Sequence, residues 1–482
     1  MTGRANTVLL LATTMASMMI DTRSSAGSDT AAASSTSGHP PPFAPPVVRR
    51  AGPAGSLLMV ESNHALPLVY VVVAARGGSS TDPHKHEGLT NLAAELARRG
   101  AGKRTRAQLD SALDELGATL DVETDPDAVR FVGHVLARNL DAFLAILADI
   151  VVRPHLEAGE LSRTVRELAA QIDESKNDDQ TLCLRFFTRN LYGDHPYGGT
   201  PDGTRASLEA IGAAEVAAHY RKLFTGRNLV FAASGDVQPG DFAARLERAF
   251  AGLHEGAPEK QPTLRVPVPV SGWRIQLVDK PERQQTQIMF GHAGPPATDP
   301  DFIPLTVAFS AFGGHGMTST LMDEVRTKRG LAYGAYLSMS ERRGAGAVAG
   351  WVFSSNDKVV ATLKLVLKLY LSLMEKGLDP ARVETFKTFV VGSYAADMDV
   401  PEHRMDARIS AEAAGLPADF VDTYADRVRA VTPKQVNAAI SRHVHARDLA
   451  ITMVSTASTL RKMLTEAKIK DSAIDVVGWD SQ

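Results

Sequence analysis

The sequence contains a single cysteine among its 482 residues, Cys183. One thiol excludes an intrachain disulfide framework, a cysteine-rich zinc site and a cysteine-ligated iron–sulfur cluster, because each of these needs more than one cysteine. Long apolar runs are also missing, since no segment has the ~20 predominantly apolar residues that a membrane-spanning helix requires. We therefore predict that the chain has no membrane span.

The sequence also lacks an excess of charge of one sign. It carries 52 Lys and Arg residues against 55 Asp and Glu residues, a formal net charge of −3, and no extended basic run. Proteins that bind nucleic acid need clustered positive charge to neutralise phosphates, so nucleic acid is not an expected partner. The 44% of hydrophobic residues are typical of a globular protein with more than one core.

The N-terminal residues have the pattern of an export signal. Arg4 precedes a moderately apolar run over residues 8–20, and a small-x-small pattern that a signal peptidase could cleave follows. We predict a signal peptide over residues 1–26 and a periplasmic or secreted protein; the alternative is the N-terminal tail of a cytoplasmic protein. Residues 27–55, rich in Ser, Ala and Pro, are predicted to form a flexible leader.

The rest of the chain shows one order of elements twice. Residues 56–253 and 271–482 each read as two strands, two helices, two strands, further helices and a last buried strand, and a charged, proline-rich linker at 254–270 separates them. We expect an α+β fold of two homologous domains with helices packed on one face of each sheet. Residues 66–75 are so continuously apolar that both faces of that strand are expected to be covered.

Several stretches resemble the pitrilysin/insulinase superfamily of zinc peptidases, in its two-domain bacterial and processing-peptidase branch. They are Gly77–Ser80 with Glu87–Leu89, Leu116–Gly117, His195–Gly198 with Gly203 and Leu208, Arg227–Val237, and Glu324–Tyr333. Their order and spacing carry the resemblance from Ser56 to Ser455. It implies domains of the metallopeptidase LuxS/processing-peptidase type, each with a mixed, largely antiparallel sheet.

The resemblance also implies a zinc motif that this chain lacks. In the family, H-x-x-E-H places two zinc-binding histidines one helical turn apart, its glutamate takes a proton from the metal-bound water, and a later glutamate in an E-x6-E pattern completes the ligands. The matching residues here are Asn91, Ala94, Glu95 and Gln171, with Thr164 in place of the upstream glutamate. The 14 histidines include no pair four apart, so no other register restores the motif. We expect this chain to bind no metal or other cofactor.

Two histidine pairs offer a separate hypothesis. His84 with His86, and His443 with His445, could each put two imidazoles on one face of an extended segment. The simpler interpretation is that they are loop and strand-edge residues.

The second domain keeps residues that the family uses for substrate. In catalytic members an Arg and a Tyr seven positions apart reach the substrate backbone near the zinc, and Arg326 and Tyr333 keep that spacing. A guanidinium and a phenol can donate hydrogen bonds to a carbonyl oxygen that gains negative charge during attack. The alternative is that Arg326 is a helix-surface cation and that the Tyr333 ring lies in the core.

The segment just before this pair shows one likeness to the family and one departure from it. The residues Gly313, Gly314, His315 and Gly316 stand where non-catalytic subunits carry a glycine-rich loop near the cavity mouth, although loop flexibility alone also explains them. The usual S-R-L is Ser319-Thr320-Leu321 here, so one expected arginine is missing.

Loss of the zinc ligands together with retention of Arg326 and Tyr333 implies a division of labour. Some members of this branch work as heterodimers of an H-x-x-E-H subunit and a similar, metal-free subunit. This chain resembles the metal-free subunit, which would bind a peptide substrate and offer its Arg and Tyr to a zinc centre held by the homologous partner. A structural role like that of respiratory-complex core subunits, and a stand-alone peptide-binding role, stay open.

Overall fold

The computed structural model describes residues 45–257, 264–314, 316–469 and 474–481. The predicted signal peptide and most of the predicted leader lie outside the described residues, so both stay predictions. His315 of the glycine-rich segment and residues 258–263 of the predicted linker also lie outside them. The described parts of the linker contain no helix or strand.

Each half of the chain forms one six-stranded sheet. The first contains β1 (Val47–Ala51), β2 (Leu57–Ser62), β3 (Leu68–Arg76), β4 (Thr119–Thr124), β5 (Ala128–Leu136) and β6 (Leu229–Gly235). The second contains β7 (Trp273–Asp279), β8 (Gln285–Ala293), β9 (Ala335–Met339), β10 (Ala347–Ser355), β11 (Leu449–Ser455) and β12 (Ile474–Gly478). A short ribbon, Gly100–Ala101 with Arg104–Thr105, stands apart from both sheets.

The strand orders show the duplication directly. They are β1-β2-β6-β3-β5-β4 in the first sheet and β12-β7-β11-β8-β10-β9 in the second, so β2 to β6 and β7 to β11 occupy the same places. In the first sheet β2 is parallel to β6, and in the second sheet β7 is parallel to β11. Strands β3 and β8 are each antiparallel to both of their neighbours. The outermost strands differ, because β1 is antiparallel to β2 and β12 is parallel to β7. The predicted fold of two homologous, mixed and largely antiparallel sheets is confirmed.

Strand β1 starts the folded chain earlier than predicted. Residues Val47–Ala51, which fall within the predicted leader, pair with Leu57–Glu61 of β2. The Arg49 guanidinium also lies 2.7 Å from the carboxylate of Glu412. An edge strand is held by backbone hydrogen bonds to one neighbour, and a segment of five residues with two adjacent arginines carries little strand pattern in its sequence.

Helices fill the segments between the strands. In the first half they are α1 (Leu89–Ala97), α2 (Arg106–Leu116), α3 (Leu140–Val152), α4 (Ala158–Ser175), α5 (Asp179–Tyr192), α6 (Arg205–Ala210), α7 (Ala213–Leu223) and α8 (Pro239–Ala249). In the second half they are α9 (Phe302–Gly313), α10 (Val359–Lys376), α11 (Pro380–Asp397), α12 (Pro401–Ala414), α13 (Phe420–Ala430), α14 (Pro433–His443) and α15 (Ala457–Glu466), with a π-helix at Met322–Thr327.

The ends of α2 show how local sequence sets these elements. The Thr105 side chain accepts a hydrogen bond from the Gln108 backbone, and the Gln108 side chain accepts one from the Thr105 backbone, which is a capping box. At the other end Gly117 adopts a left-handed φ of 59°, where a side chain would be strained, and the helix stops.

Each sheet packs its own helices on one face and receives one helix of the other half on the opposite face. Helix α5 of the first half buries Leu182, Phe186 and Phe187 against the second sheet. Helix α12 of the second half buries Met405 and Ile409 against the first sheet. This exchange explains the continuously apolar β3, whose alternate side chains pack on the first-half helices and beneath α12.

A buried ion pair joins the exchanged helix α12 to the first sheet. Glu61 of β2 has no exposed side-chain surface, Arg404 is 4% exposed, and Arg404 Nε lies 3.0 and 3.1 Å from the two carboxylate oxygens. The remaining guanidinium nitrogens contact the Glu61 carboxylate and the carbonyl oxygens of Met398 and Asp399. A buried charge pair is stable only when its hydrogen bonds are complete, as they are here.

Across the ranges that the structure covers, none of the helices combines the length and apolar character that crossing a membrane requires.

Candidate functional site

Helix α1, which carries three of the four altered zinc-motif positions, is fixed at its first turn by Asp82. Its carboxylate accepts hydrogen bonds from the backbone N–H groups of Gly88, at 2.8 Å, and Thr90, at 2.9 Å. The Thr90 hydroxyl also lies 2.8 Å from His219 Nε2 on α7. Burial raises the pKa of Asp82 to about 7. Protein contacts therefore hold the position of α1 without any metal.

The residues at the first and central motif positions offer little to a cation. Asn91 is 5% exposed, and its side-chain oxygen already accepts a hydrogen bond from the Thr124 hydroxyl at 3.0 Å. Ala94 is fully buried and has no side-chain group that could take a proton. Zinc prefers imidazole and thiolate ligands, and neither residue supplies one.

Glu95 faces two guanidinium groups. One of its carboxylate oxygens lies 3.7 Å from an Arg99 nitrogen and 4.0 Å from an Arg98 nitrogen. Arg99 is also 2.8 Å from Glu167 on α4. A divalent cation placed at Glu95 would be repelled by both arginines, since like charges at these distances are unfavourable in a partly buried site.

Helix α4 carries the position that matches the later zinc ligand of the family. Gln171, the predicted match, is exposed on α4, and the Thr164 hydroxyl donates to the backbone carbonyl of Glu160 at 2.8 Å. Glu167 of α4 instead contacts Arg99, two residues after α1 ends, and Glu160 and Glu167 have the same E-x6-E spacing one turn earlier. Both Glu167 oxygens are engaged, by Arg99 at 2.8 Å and by Arg106 at 3.0 Å, so this register supplies no free ligand either.

Zinc does not fit these residues, so we expect the isolated protein to contain no stoichiometric zinc and to cleave no peptide. Metal analysis of protein purified without chelator, with a peptide-library digest, measures both. An H-x-x-E-H homologue purified in parallel is the control and should retain one zinc per chain. One tightly held zinc in this chain, with cleavage that a chelator abolishes, would contradict the expectation.

A cavity of about 150 Å³ lies between the two halves and borders the altered motif, because Thr124, the partner of Asn91, lines it. Its walls come from the β4–β5 hairpin, from α5 and the segment after it, and from the β9–β10 loop. The charged lining residues balance: they are Arg130, Arg185, Arg342, Glu123, Asp125 and Asp202. Burial raises the pKa of Asp202. The lining therefore has no excess negative charge to attract a metal ion.

One histidine of each pair contacts a carboxylate. His86 Nδ1 contacts the Glu215 carboxylate, and His84 is exposed on its loop. His443 Nε2 lies 2.9 Å from an Asp301 oxygen, and Arg442 occupies the same carboxylate. The simpler interpretation holds for the loop residues His84, His86 and His445, whereas His443 is the last residue of α14 rather than a strand-edge residue.

Arg326 and Tyr333 lie together at the surface of the second domain. The π-helix Met322–Thr327 carries Arg326, whose guanidinium carbon is 4.5 Å from the centre of the Tyr333 ring, a cation–π contact. Tyr333 is 59% exposed, so the alternative that its ring lies in the core is wrong. Arg326 Nη1 is 3.8 Å from the Met317 sulfur.

The segment before this pair is shaped by close packing. A Cβ on Gly313 would lie 2.6 Å from the backbone nitrogen of Leu337, so this position requires glycine. Where the family usually has an arginine, Thr320 accepts a hydrogen bond at 3.0 Å from Arg382 of α11. The guanidinium also donates to the backbone carbonyls of Ala311 and Thr318, so an arginine from another helix occupies this region.

Two family models match the chain in succession. The insulinase model, peptidase family M16, matches residues 57–204, and the model described as the peptidase M16 inactive domain matches residues 210–389. This chain belongs to peptidase family M16. The inactive-domain model covers residues 271–389 of its second domain, which include Arg326 and Tyr333.

Relatives of this M16 chain include proteins with and without an assigned peptidase activity. The Helicobacter pylori protein named non-peptidase homolog YmxG is 23% identical over 400 residues, which are 83% of this chain and 91% of that protein. A Mycobacterium leprae protein named an uncharacterized zinc protease is 23% identical over 401 residues, 82% of this chain and 88% of that protein. A crystal structure of a Pseudomonas fluorescens peptidase M16 inactive domain is 23% identical and has a TM-score of 0.76. The match covers 85% of this chain and 97% of that chain. With all four motif positions altered, this chain is a non-catalytic type of M16 member.

Proposed function

We propose that this chain is the non-catalytic subunit of a heterodimeric zinc metallopeptidase. It binds peptide substrate and stabilises the oxyanion for a homologous partner subunit that carries H-x-x-E-H. The observation that carries the proposal is the surface pair of Arg326 and Tyr333, kept in a chain whose zinc-motif positions supply no histidine ligand and no catalytic glutamate. Asn91 is bonded to Thr124, and Glu95 faces arginines.

The charges around Arg326 support its availability for substrate. The neighbouring acids Asp323 and Glu324 are occupied by Lys328 and Arg329. Within the described residues Arg326 makes no ion pair. Its guanidinium, fixed over the Tyr333 ring, can donate to a substrate carbonyl oxygen, and the exposed Tyr333 hydroxyl can donate to the same oxygen.

A zinc-bearing partner is part of the proposal because donors alone do not hydrolyse a peptide. They stabilise charge on a carbonyl oxygen but provide neither a nucleophile nor a base, and Ala94 replaces the base of this chain. The predicted export signal places the complex in the periplasm or outside the cell in this proposal.

Co-purification tests the proposal. A tagged copy of this chain is expressed with each H-x-x-E-H homologue of its source genome, and peptide cleavage is measured for the complex and for each subunit alone. We expect one homologue to form a stable complex, burying above ~1,000 Å², and the complex to cleave far faster than either subunit. A chain that stays monomeric with every homologue, or a homologue equally active without it, would contradict the proposal and favour a structural or stand-alone binding role.

A further inference from the structure

Four aromatic rings lie together on the face of the second sheet that α5 covers in part, opposite the helices of the second half. They lie next to Arg326. Tyr336 of β9 stacks on Trp351 of β10, with ring centres 5.6 Å apart and planes at 10°. Trp351 stacks on Phe353 at 5.2 Å, and Phe353 lies 6.2 Å from Tyr333. We call Tyr333, Tyr336, Trp351 and Phe353 the aromatic platform.

The aromatic platform is partly exposed to solvent because it lies beyond the part of the sheet that α5 covers. Along β10, Val352 and Ser354 point into the buried core of the second domain, whereas Trp351 and Phe353 alternate with them and are partly exposed. Trp351 packs against the edge of the cluster beneath α5, and Tyr333 at the other end is the most exposed ring. This part of the sheet face therefore stays accessible among the described residues.

The rings are spaced somewhat more closely than the alternate side chains of an extended peptide. Alternate side chains of an extended chain lie on one side, about 6.6–6.8 Å apart, and neighbouring platform rings are separated by 5.2–6.2 Å. The Trp351 indole N–H is already donated to Gln287 at 2.9 Å, which fixes the ring. Its two faces stack on Tyr336 and Phe353, so the outward edges of the rings are left for apolar contact. Aromatic rings pair with other aromatic side chains edge to face as well as by stacking.

Arg326 and the small area of the platform select the kind of occupant. The guanidinium over Tyr333 places positive charge at one end, which suits peptide carbonyls or a carboxylate and does not suit a purely apolar ligand. Four partly buried rings expose much less than the ~800 Å² that each partner contributes to a stable protein dimer. A short extended peptide satisfies both conditions.

We propose that the aromatic platform binds an extended peptide segment with aromatic or large aliphatic side chains at alternate positions. This inference rests on the proposed function. In the heterodimer the platform then determines which peptides are substrates, and Arg326 and Tyr333 lie at the end nearest the cleaved bond.

Binding to the isolated chain tests the platform without any partner or cleavage. Two labelled peptides of equal length are compared, one with Phe and one with Ala at alternate positions among Ser and Gly residues. Anisotropy gives the affinity, and Trp351 emission reports the location in a Trp273→Phe, Trp479→Phe background. We expect the Phe peptide to bind about tenfold more tightly and to change the Trp351 emission.

Phe353→Ser should weaken binding of the Phe peptide about tenfold, and Phe353→Leu, which keeps an apolar side chain but removes the ring, should weaken it in the same direction. Val476→Ser, an exposed apolar residue on β12 of the same sheet, is the matched control and should leave affinity unchanged. Equal affinity for both peptides, or no effect of either Phe353 variant, would overturn the proposal. If Phe353→Ser instead abolishes self-association with no change in peptide affinity, the platform is covered by a second copy and the peptide assignment is wrong. Because these binding measurements use the isolated chain, they can be interpreted even if no heterodimer forms.

Discussion

Tyr333→Phe is expected to lower the kcat of the reconstituted heterodimer by at least about tenfold, because oxyanion donors are worth ~10²–10³ in kcat and the contribution grows as charge develops on the carbonyl. The change removes one hydroxyl and keeps the ring that contacts Arg326. Arg326→Ala should have a similar effect. Steady-state kinetics on the complex, with gel filtration to show that it is intact, measure both.

Arg329→Ala is the matched control for the arginine. Arg329 lies three residues from Arg326 and pairs with Glu324, so its loss removes a nearby guanidinium without touching the proposed donors. We expect kcat within about twofold of wild type for this variant. Wild-type kcat for Tyr333→Phe, or an equal loss for Arg329→Ala, would rule out specific oxyanion stabilisation.

Arg404→Met is expected to destabilise the isolated chain by about 3–5 kcal/mol, because it leaves the Glu61 carboxylate buried and unpaired. The pair joins α12 to the first sheet, so the loss falls on the contact between the two halves. The urea midpoint of unfolding, followed by circular dichroism, measures the change.

The exposed pair of Arg227 and Glu255 provides the comparison, since Arg227→Ala should cost no more than about 1 kcal/mol. The double change Glu61→Leu with Arg404→Met should recover most of the loss, because no charge is then left buried. If Arg404→Met costs no more than Arg227→Ala, the buried pair does not hold the halves together.

Elements with strong periodicity could be predicted from the sequence, and elements defined by distant partners could not. The apolar run of β3 is such a local signal, and the strand was predicted correctly. Helix α12 has few large apolar residues besides Met405 and Ile409, so its pattern is weak, and nothing in it says that it packs on the other half. The exchange of α5 and α12 is a property of the tertiary fold alone.

In the candidate site, too, some features follow from local sequence patterns and others depend on tertiary contacts. The altered zinc positions and the Arg326–Tyr333 spacing are sequence patterns, and the structure brings Arg326 and Tyr333 into contact. The role of Glu167 was missed because two registers of α4 have the E-x6-E spacing and only the contact with Arg99 distinguishes them. The platform depends on the pairing of Tyr336 with Trp351 across β9 and β10, which no local pattern reveals.

The kcat of the reconstituted heterodimer with Asn91→Ala in this chain tests most directly whether its first domain is non-catalytic. The variant removes the residue at the first zinc position and one hydrogen bond to Thr124. Cleavage should stay within about twofold of wild type, under conditions in which Tyr333→Phe lowers kcat at least about tenfold. If Asn91→Ala abolishes cleavage and Tyr333→Phe leaves it unchanged, the active site lies in the first domain of this chain and the assignment of roles is reversed.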